Sequence, residues 1–378
     1  MNDIRNHRTL QFSIAVAVLL FSAVAFGSVQ PHLRLFGSII VFTILVSLSM
    51  MKNSRIEISV LIVPVAIFLL YGLASISFSL HKVPALEKML VGLQAFIVLL
   101  LIHRTQQTGW SKNVWENAII SLAFVFSVIE ILLYGLWLAQ KSQYFQIDPA
   151  GAFIGYRASG TLLGHPNVFA GFLNIAILLG IHRLINEKEP KQRSLWLVPI
   201  LIFFYVNYLT SSRSGWVALA AGIGIYVLLY ALSNYKAIRH WYYEKSLTLR
   251  VIIASSVLTV LVIGILAFGW LIVIQQEIST GHAPILSSRQ GLWRPALDVF
   301  IRSPVFGSGS GNFTFHFADE TNAPPGFITS HAHNIFLQIG AEYGILGILI
   351  LVAGIGIFLR ELAVSWRIRS DQDFKNFG

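Results

Sequence analysis

The chain has 378 residues, 55% of them hydrophobic and only 12% charged, and a mean hydropathy of +0.70. That much apolar side chain excludes a soluble globular domain and fits a polytopic membrane protein, which turns it toward lipid. A net charge of +10 calls for no nucleic acid, since Lys and Arg collect on cytoplasmic loops beside anionic headgroups; with no cysteine, disulfides, thiolate catalysis and cysteine–metal sites are excluded as well.

Apolar windows of about 17–25 residues mark about ten spans, so the fold class is all-α: a polytopic helical membrane domain over 1–378. The first window, 10–26, follows Arg5 and Arg8 and lacks a small-residue cleavage site, so it reads as a retained span and not as a signal peptide. The next windows are 34–50, 58–77, 85–102, 117–139, 168–185, 195–210, 215–232, 250–274 and 335–359. Pro64 and Pro84 blur the edges of the third and fourth. Alternate connections differ two to one in Lys and Arg, which places both termini in the cytoplasm and favours an even number of spans.

This topology leaves two large outward connections, 140–167 and 275–333, each too short to fold alone and each read as a cap on the bundle. In the second, Leu292, Ala296, Val299 and Phe300 have the spacing of a short amphipathic helix. A turn at Ser303-Pro304 follows. Then comes the run Gly307-Ser-Gly-Ser-Gly311, more often a flexible loop than a backbone nest for an anion.

Chemistry has few places to live in such a chain. Glu130 is an intramembrane carboxylate and therefore a functional candidate by default, although it is near a span end and alone. Arg157, His165 and Asn167 close the first large connection, where helix-start chemistry explains them equally well. Thr210-Ser-Ser-Arg-Ser-Gly-Trp216 is a very short turn. Ser212 and Ser214, free helix-start amides and the Arg213 guanidinium together suit a phosphate or diphosphate; the plainer reading is an arginine snorkelling to the headgroups. Arg289 opens the loop helix with Trp293 one turn on and Arg294 and Arg302 behind, and all could be a solvated amphipathic face. His331, His333 and Asn334 stand at the mouth of the last apolar helix, with Ser330 a candidate cap and Glu342 two turns on, placed to orient His333 or Arg213. The positive helix end disfavours imidazolium, so a neutral His333 ring can take a proton from a hydroxyl. The alternatives are an interfacial histidine without a task, or a metal set of His331 and His333 with His316 or Asp319, for which spacing fixes no third ligand. Asp371-Gln-Asp373 imitates an acidic metal motif and reads as chance.

The Ser-Arg-Ser-Gly turn at 212–215, Ser-Arg-Gln-Gly-Leu-Trp at 288–293, and His-Asn-Ile-Phe-Leu-Gln with Glu-Tyr-Gly-Ile-Leu-Gly at 333–347 occur in this order. Together with His-Pro-Asn167 they resemble the O-antigen ligase and polymerase superfamily of bacterial inner membranes, over about residues 150–350. The resemblance implies a metal-independent glycosyltransferase without cofactor. Its donor would be a glycan on undecaprenyl diphosphate and its acceptor a hydroxyl, as on lipid A core, at the periplasmic face. By motif, His333 would deprotonate the acceptor while Arg213 and Arg289 hold the diphosphate leaving group. Arg157, Asn167, Ser212, Ser214, Trp293, His331, Asn334 and Glu342 would line the substrates. Family members often carry one or two further spans after the glutamate helix, where this sequence ends soon after Arg369. Within the superfamily, ligase is favoured over polymerase and protein O-oligosaccharyltransferase. A transporter would need polar residues at mid-depth, and a structural scaffold would not need arginines set against the charge bias.

Overall fold

The computed structural model describes residues 2–27, 39–44, 46, 59–107, 110, 113–144, 157–160, 163–252, 255, 289–320, 329 and 331–376. Most of the predicted span at 250–274, much of 34–50, residues 145–156 and 161–162 of the first large connection, and 275–288, 321–328 and Ser330 of the second lie outside the described residues. Regular structure among the described residues is helical: α1 (Asn2–Gly27), α2 (Ile62–Ser75), α3 (Lys82–Gln107), α4 (Val114–Tyr144), α5 (Pro166–Asn186), α6 (Pro190–Leu195), α7 (Leu197–Leu209), α8 (Arg213–Ser233), α9 (Tyr235–Tyr243), α10 (Arg289–Arg302), α11 (Phe313–Glu320) and α12 (Ile335–Asn376). Among them α3, α4, α5, α8 and α12 are long and apolar enough to cross a membrane. The protein is a multi-pass membrane protein. Exposed leucines such as Leu132, Leu136 and Leu201 are what a lipid-facing surface requires.

The chain divides into two compact units, Met1–Ile58 with Val91–Leu228, and Ser59–Leu90 with Leu229–Gly378. In the first, Ala15 and Val18 of α1 pack against Val114, Trp115 and Ala118 of α4, beside Ile97 and Leu101 of α3. The alanines let the helix backbones approach closely, which drives helix association where lipid removes the hydrophobic gain. A larger core gathers Phe126, Leu173, Ile177, Phe203, Val206 and Leu219 from α4, α5, α7 and α8. Arg183, in the last turn of α5, pairs at 2.7 Å with Glu116 in the first turn of α4, so each charge also meets the helix end that favours it.

In the second unit, α10 buries Leu292, Ala296 and Val299 against Phe313 and Phe317 of α11 and against Ala332 and Ala341, so the apolar spacing seen in sequence is the packing face. Met89, Ile339 and Tyr343 form a second core with Phe68, Tyr71 and Ile348. The last apolar window is not one continuous helix. At Gly344 (φ 64°, ψ −162°) α12 breaks into a short segment, Ile335 to Tyr343, and a long one. The freed backbone groups find partners in the segment after α10. Ser308 and Gly309 N–H donate to the Ala341 and Glu342 carbonyls, both at 2.9 Å, and Ile345 N–H donates to the Pro304 carbonyl at 2.8 Å. Tyr71 Oη donates to the Tyr343 carbonyl at 2.9 Å, and Tyr343 Oη donates to Ser310 Oγ at 2.7 Å. Broken backbone at membrane depth persists where protein seals it in this way.

The glycine run therefore departs from the flexible loop expected of it. Residues 307–311 are buried, and Gly307, Gly309 and Gly311 hold φ of 73°, 93° and 70°. A Cβ on Gly307 would lie 2.4 Å from Tyr343 N. Close approach to α12, and not mobility, is what these glycines serve.

Candidate functional site

His333 occupies the left-handed region at φ 52°, uncommon for a residue with a side chain and a signature of functional sites. Asn334 caps the helix that follows: its Oδ1 accepts the Phe336 and Leu337 amides at 3.0 and 3.2 Å. Asn334 thus does the capping expected of Ser330, and its carboxamide oxygen is engaged before any substrate arrives. The His333 turn is also tied down from behind. Ala332 N–H donates to Gln338 Oε1 at 2.7 Å, and Gln338 Nε2 donates to Glu342 Oε1 at 2.8 Å. Thr329 Oγ1 accepts the His331 amide at 3.3 Å. His331 and His333 are both exposed.

Glu342 is 6% exposed. Besides Gln338, the backbone amides of Gly311 and Phe313 and the Lys88 ammonium face its carboxylate. The anion cradled by the end of the glycine run is this carboxylate, so Glu342 acts as a hub for the turn that presents His333. Gln338 was not singled out in the sequence. Its i, i+4 spacing to Glu342 was the available signal.

Trp293, Arg294 and Arg302 of α10 are exposed, and the Arg289 side chain is outside the described residues. Buried Ala296 packs in one cluster with Ala332 and Ala341, so α10 braces the backbone on both sides of the His333 turn. Among the described residues no three His, Asp or Glu side chains converge as metal ligands would.

The first unit builds the Arg213 turn. Ser211 stands at φ 51°. Ser212, 1% exposed, accepts the Gly215 amide on Oγ at 3.1 Å and is the N-cap of α8. Its hydroxyl is thereby committed to the helix, 3.4 Å from Ser214 Oγ. Arg213 and Ser214, in contrast, are exposed. A buried amide ladder fixes the turn from below: Asn207 Nδ2 donates to Asn174 Oδ1 at 2.7 Å, and Asn174 Nδ2 donates to the Gly215 carbonyl at 2.8 Å. A Cβ on Gly215 would come within 2.6 Å of Ala170 Cβ. Neither asparagine stood out in sequence, although amides inside apolar spans were the clue.

The segment from Arg157 docks beside this turn. Arg157 Nε donates to the Thr210 carbonyl at 3.3 Å and Ala158 N–H to the Leu209 carbonyl at 3.0 Å, satisfying carbonyls at the end of α7. Gly160 (φ 75°) donates its amide to Glu130 Oε1 at 2.8 Å. The intramembrane carboxylate thus anchors a loop. Glu130→Leu, which leaves that buried amide without its acceptor, is expected to cost about 1–3 kcal/mol. Glu130→Gln, which keeps an acceptor oxygen, is expected to recover most of it, read as apparent thermal stability in detergent. His165 caps α5, accepting the Asn167 amide on Nδ1 at 3.2 Å, and the Asn167 side chain is half-buried.

Arg213, Arg289, His333 and Glu342 all lie within one stretch, residues 198–352, that matches the O-Antigen ligase family. Arg157 and Asn167 precede the matched stretch. The chain is also similar to the teichuronic acid biosynthesis protein TuaE of Bacillus subtilis (strain 168), at 23% identity over 295 residues that cover 74% of this chain and 56% of that protein. The match therefore spans little more than half of the relative's length.

Proposed function

We propose that the protein is a metal-independent, inverting glycosyltransferase of the bacterial inner membrane, with about ten spans, both termini cytoplasmic and 140–167 and 275–333 at the periplasmic face. The donor is a glycan on undecaprenyl diphosphate and the acceptor a hydroxyl of lipid A core. His333 takes the proton from the acceptor hydroxyl. The acceptor oxygen then attacks the anomeric carbon, the bond from that carbon to the diphosphate oxygen breaks, and the diphosphate leaves with the electron pair. Arg213 and Arg289 hold the diphosphate as negative charge develops on it, the task for which a planar, permanently charged donor is suited. Arg157, Asn167, Ser214, Trp293 and His331 contribute to holding the substrates.

The observation that carries this reading is the presentation of His333: an exposed imidazole on a left-handed turn, fixed by the Asn334 cap and by Gln338 on the buried Glu342. A general base gains from such fixing, because its rate depends on geometry before anything else. The test is transfer of a polyprenyl-diphosphate-linked glycan to lipid A core by the purified protein in the presence of EDTA. Transfer abolished by chelation would overturn the metal-independent reading. A second reading, polymerisation, is supported by the name of the relative in teichuronic acid biosynthesis. Glycan chains lengthening on the polyprenyl carrier in the same assay would select it.

Gln338→Leu removes both bonds between the Ala332 amide and Glu342 without touching His333. Turnover is expected to fall by up to about 10²-fold through misplacement of the base. The acceptor KM should change little, as steady-state kinetics on both substrates would read.

A further inference from the structure

We propose that residues 235–250 form a binding site for anionic phospholipid headgroups at the membrane surface, apart from the glycan chemistry. The segment begins at α9, which Asn234 alone separates from the end of the membrane-crossing helix α8. Tyr235, Ile238, Trp241 and Tyr242 recur at three- and four-residue spacing on one side of α9, while Arg239, His240 and Tyr243 fall on the other. Tyr235, Ile238, Trp241 and Tyr243 are exposed, as is Leu247 beyond the helix. Such a helix is too short to span and too apolar on one side for water, and it settles in the interface plane. Aromatic rings with polar edges prefer that level.

The cations give the partner its sign. Arg239 and Arg250 lie over the same Tyr243 ring, at 5.8 and 5.7 Å from its centre, and Lys245 lies 5.3 Å from the Trp241 ring. Glu244 is the sole acid in the 235–250 sequence, and it sits 3.1 Å from His240. Two guanidiniums drawn to one ring repel each other, and an anion of phosphate type relieves that repulsion while answering their N–H donors. The apolar face beside them selects a phosphate attached to a lipid. Juxtamembrane cations gain most beside anionic lipid, which agrees with the Lys and Arg excess of this connection.

The full-length protein in nanodiscs tests this with brominated phosphatidylglycerol against brominated phosphatidylcholine at equal mole fraction. The readout is the Trp241 part of the fluorescence, taken as wild type minus Trp241→Phe. Both lipids should quench Trp241, with phosphatidylglycerol about fivefold or more stronger at low salt. The Arg239→Gln/Arg250→Gln variant should bring the two lipids to parity while quenching by phosphatidylcholine persists, which shows that the helix remains in place. Equal quenching in the wild type, a preference that survives the double variant, or a Trp241 untouched by either lipid would overturn the proposal. A preference abolished by millimolar inorganic phosphate at constant ionic strength would reassign the cluster to a soluble anion and overturn it as well.

Discussion

Replacing His333 with alanine is expected to lower glycan transfer by roughly 10²–10⁴-fold, the span a positioned general base contributes. Apparent stability should change by no more than about 1 kcal/mol, the scale of cost for a side chain held in left-handed backbone. Because His333 stands at φ 52°, a single variant confounds chemistry with conformation. Glycine separates them. His333→Gly relieves the backbone strain and removes the imidazole, so it should be as inactive as His333→Ala and at least as stable as wild type. Initial rates in EDTA and thermal unfolding in detergent give the two readouts. Transfer at the wild-type rate in either variant would remove His333 from the role of base and leave the similarity to the family standing.

Much of the helical architecture was legible, for a simple reason. An apolar window of span length is read from composition alone, and the window at 117–139 appears within α4, that at 168–185 within α5 and that at 215–232 within α8. The buried face of α10 was legible too, since Leu292, Ala296 and Val299 obey the helical period. Features set by contacts distant in sequence were not legible. Glu342 looked like a partner for a nearby histidine or arginine, yet the amides facing it come from Gly311 and Phe313 and a cation from Lys88. Glu130 looked functional because a carboxylate in a span is rare, and it proves to hold the amide of Gly160, thirty residues on. The glycine run read as flexible because composition does not distinguish a glycine that moves from one that touches another backbone. The break in α12 was hidden for the same reason: hydropathy sums side chains, and Gly344 has none.

That break makes Gly344→Ala a severely damaging change for a single methyl group. Gly344, at φ 64° and ψ −162°, lies in a region that is essentially restricted to glycine. A Cβ there would stand 2.3 Å from the Val305 carbonyl oxygen and 2.8 Å from Gly307 N. Both are backbone atoms, so no side chain can swing aside. Strain and overlap together are expected to cost roughly 3 kcal/mol or more, a large share of the 5–15 kcal/mol that holds a typical domain folded. Gly356→Ala is the control: same helix, nothing within 4 Å, and an ordinary helical gain of up to about 1 kcal/mol. If Gly344→Ala accumulates and unfolds like Gly356→Ala, the helix is continuous and the strap at 303–311 is misplaced. If it fails as expected, the reason is specific. Straightening the helix returns the Ala341 and Glu342 carbonyls to intrahelical partners and evicts the Ser308 and Gly309 amides that now bind them. The strap then moves off α12, Glu342 loses the Gly311 and Phe313 amides, and the Gln338 link to the His333 turn goes with it. Gly344→Ala should therefore lose fold and transfer together, whereas His333→Ala loses transfer alone.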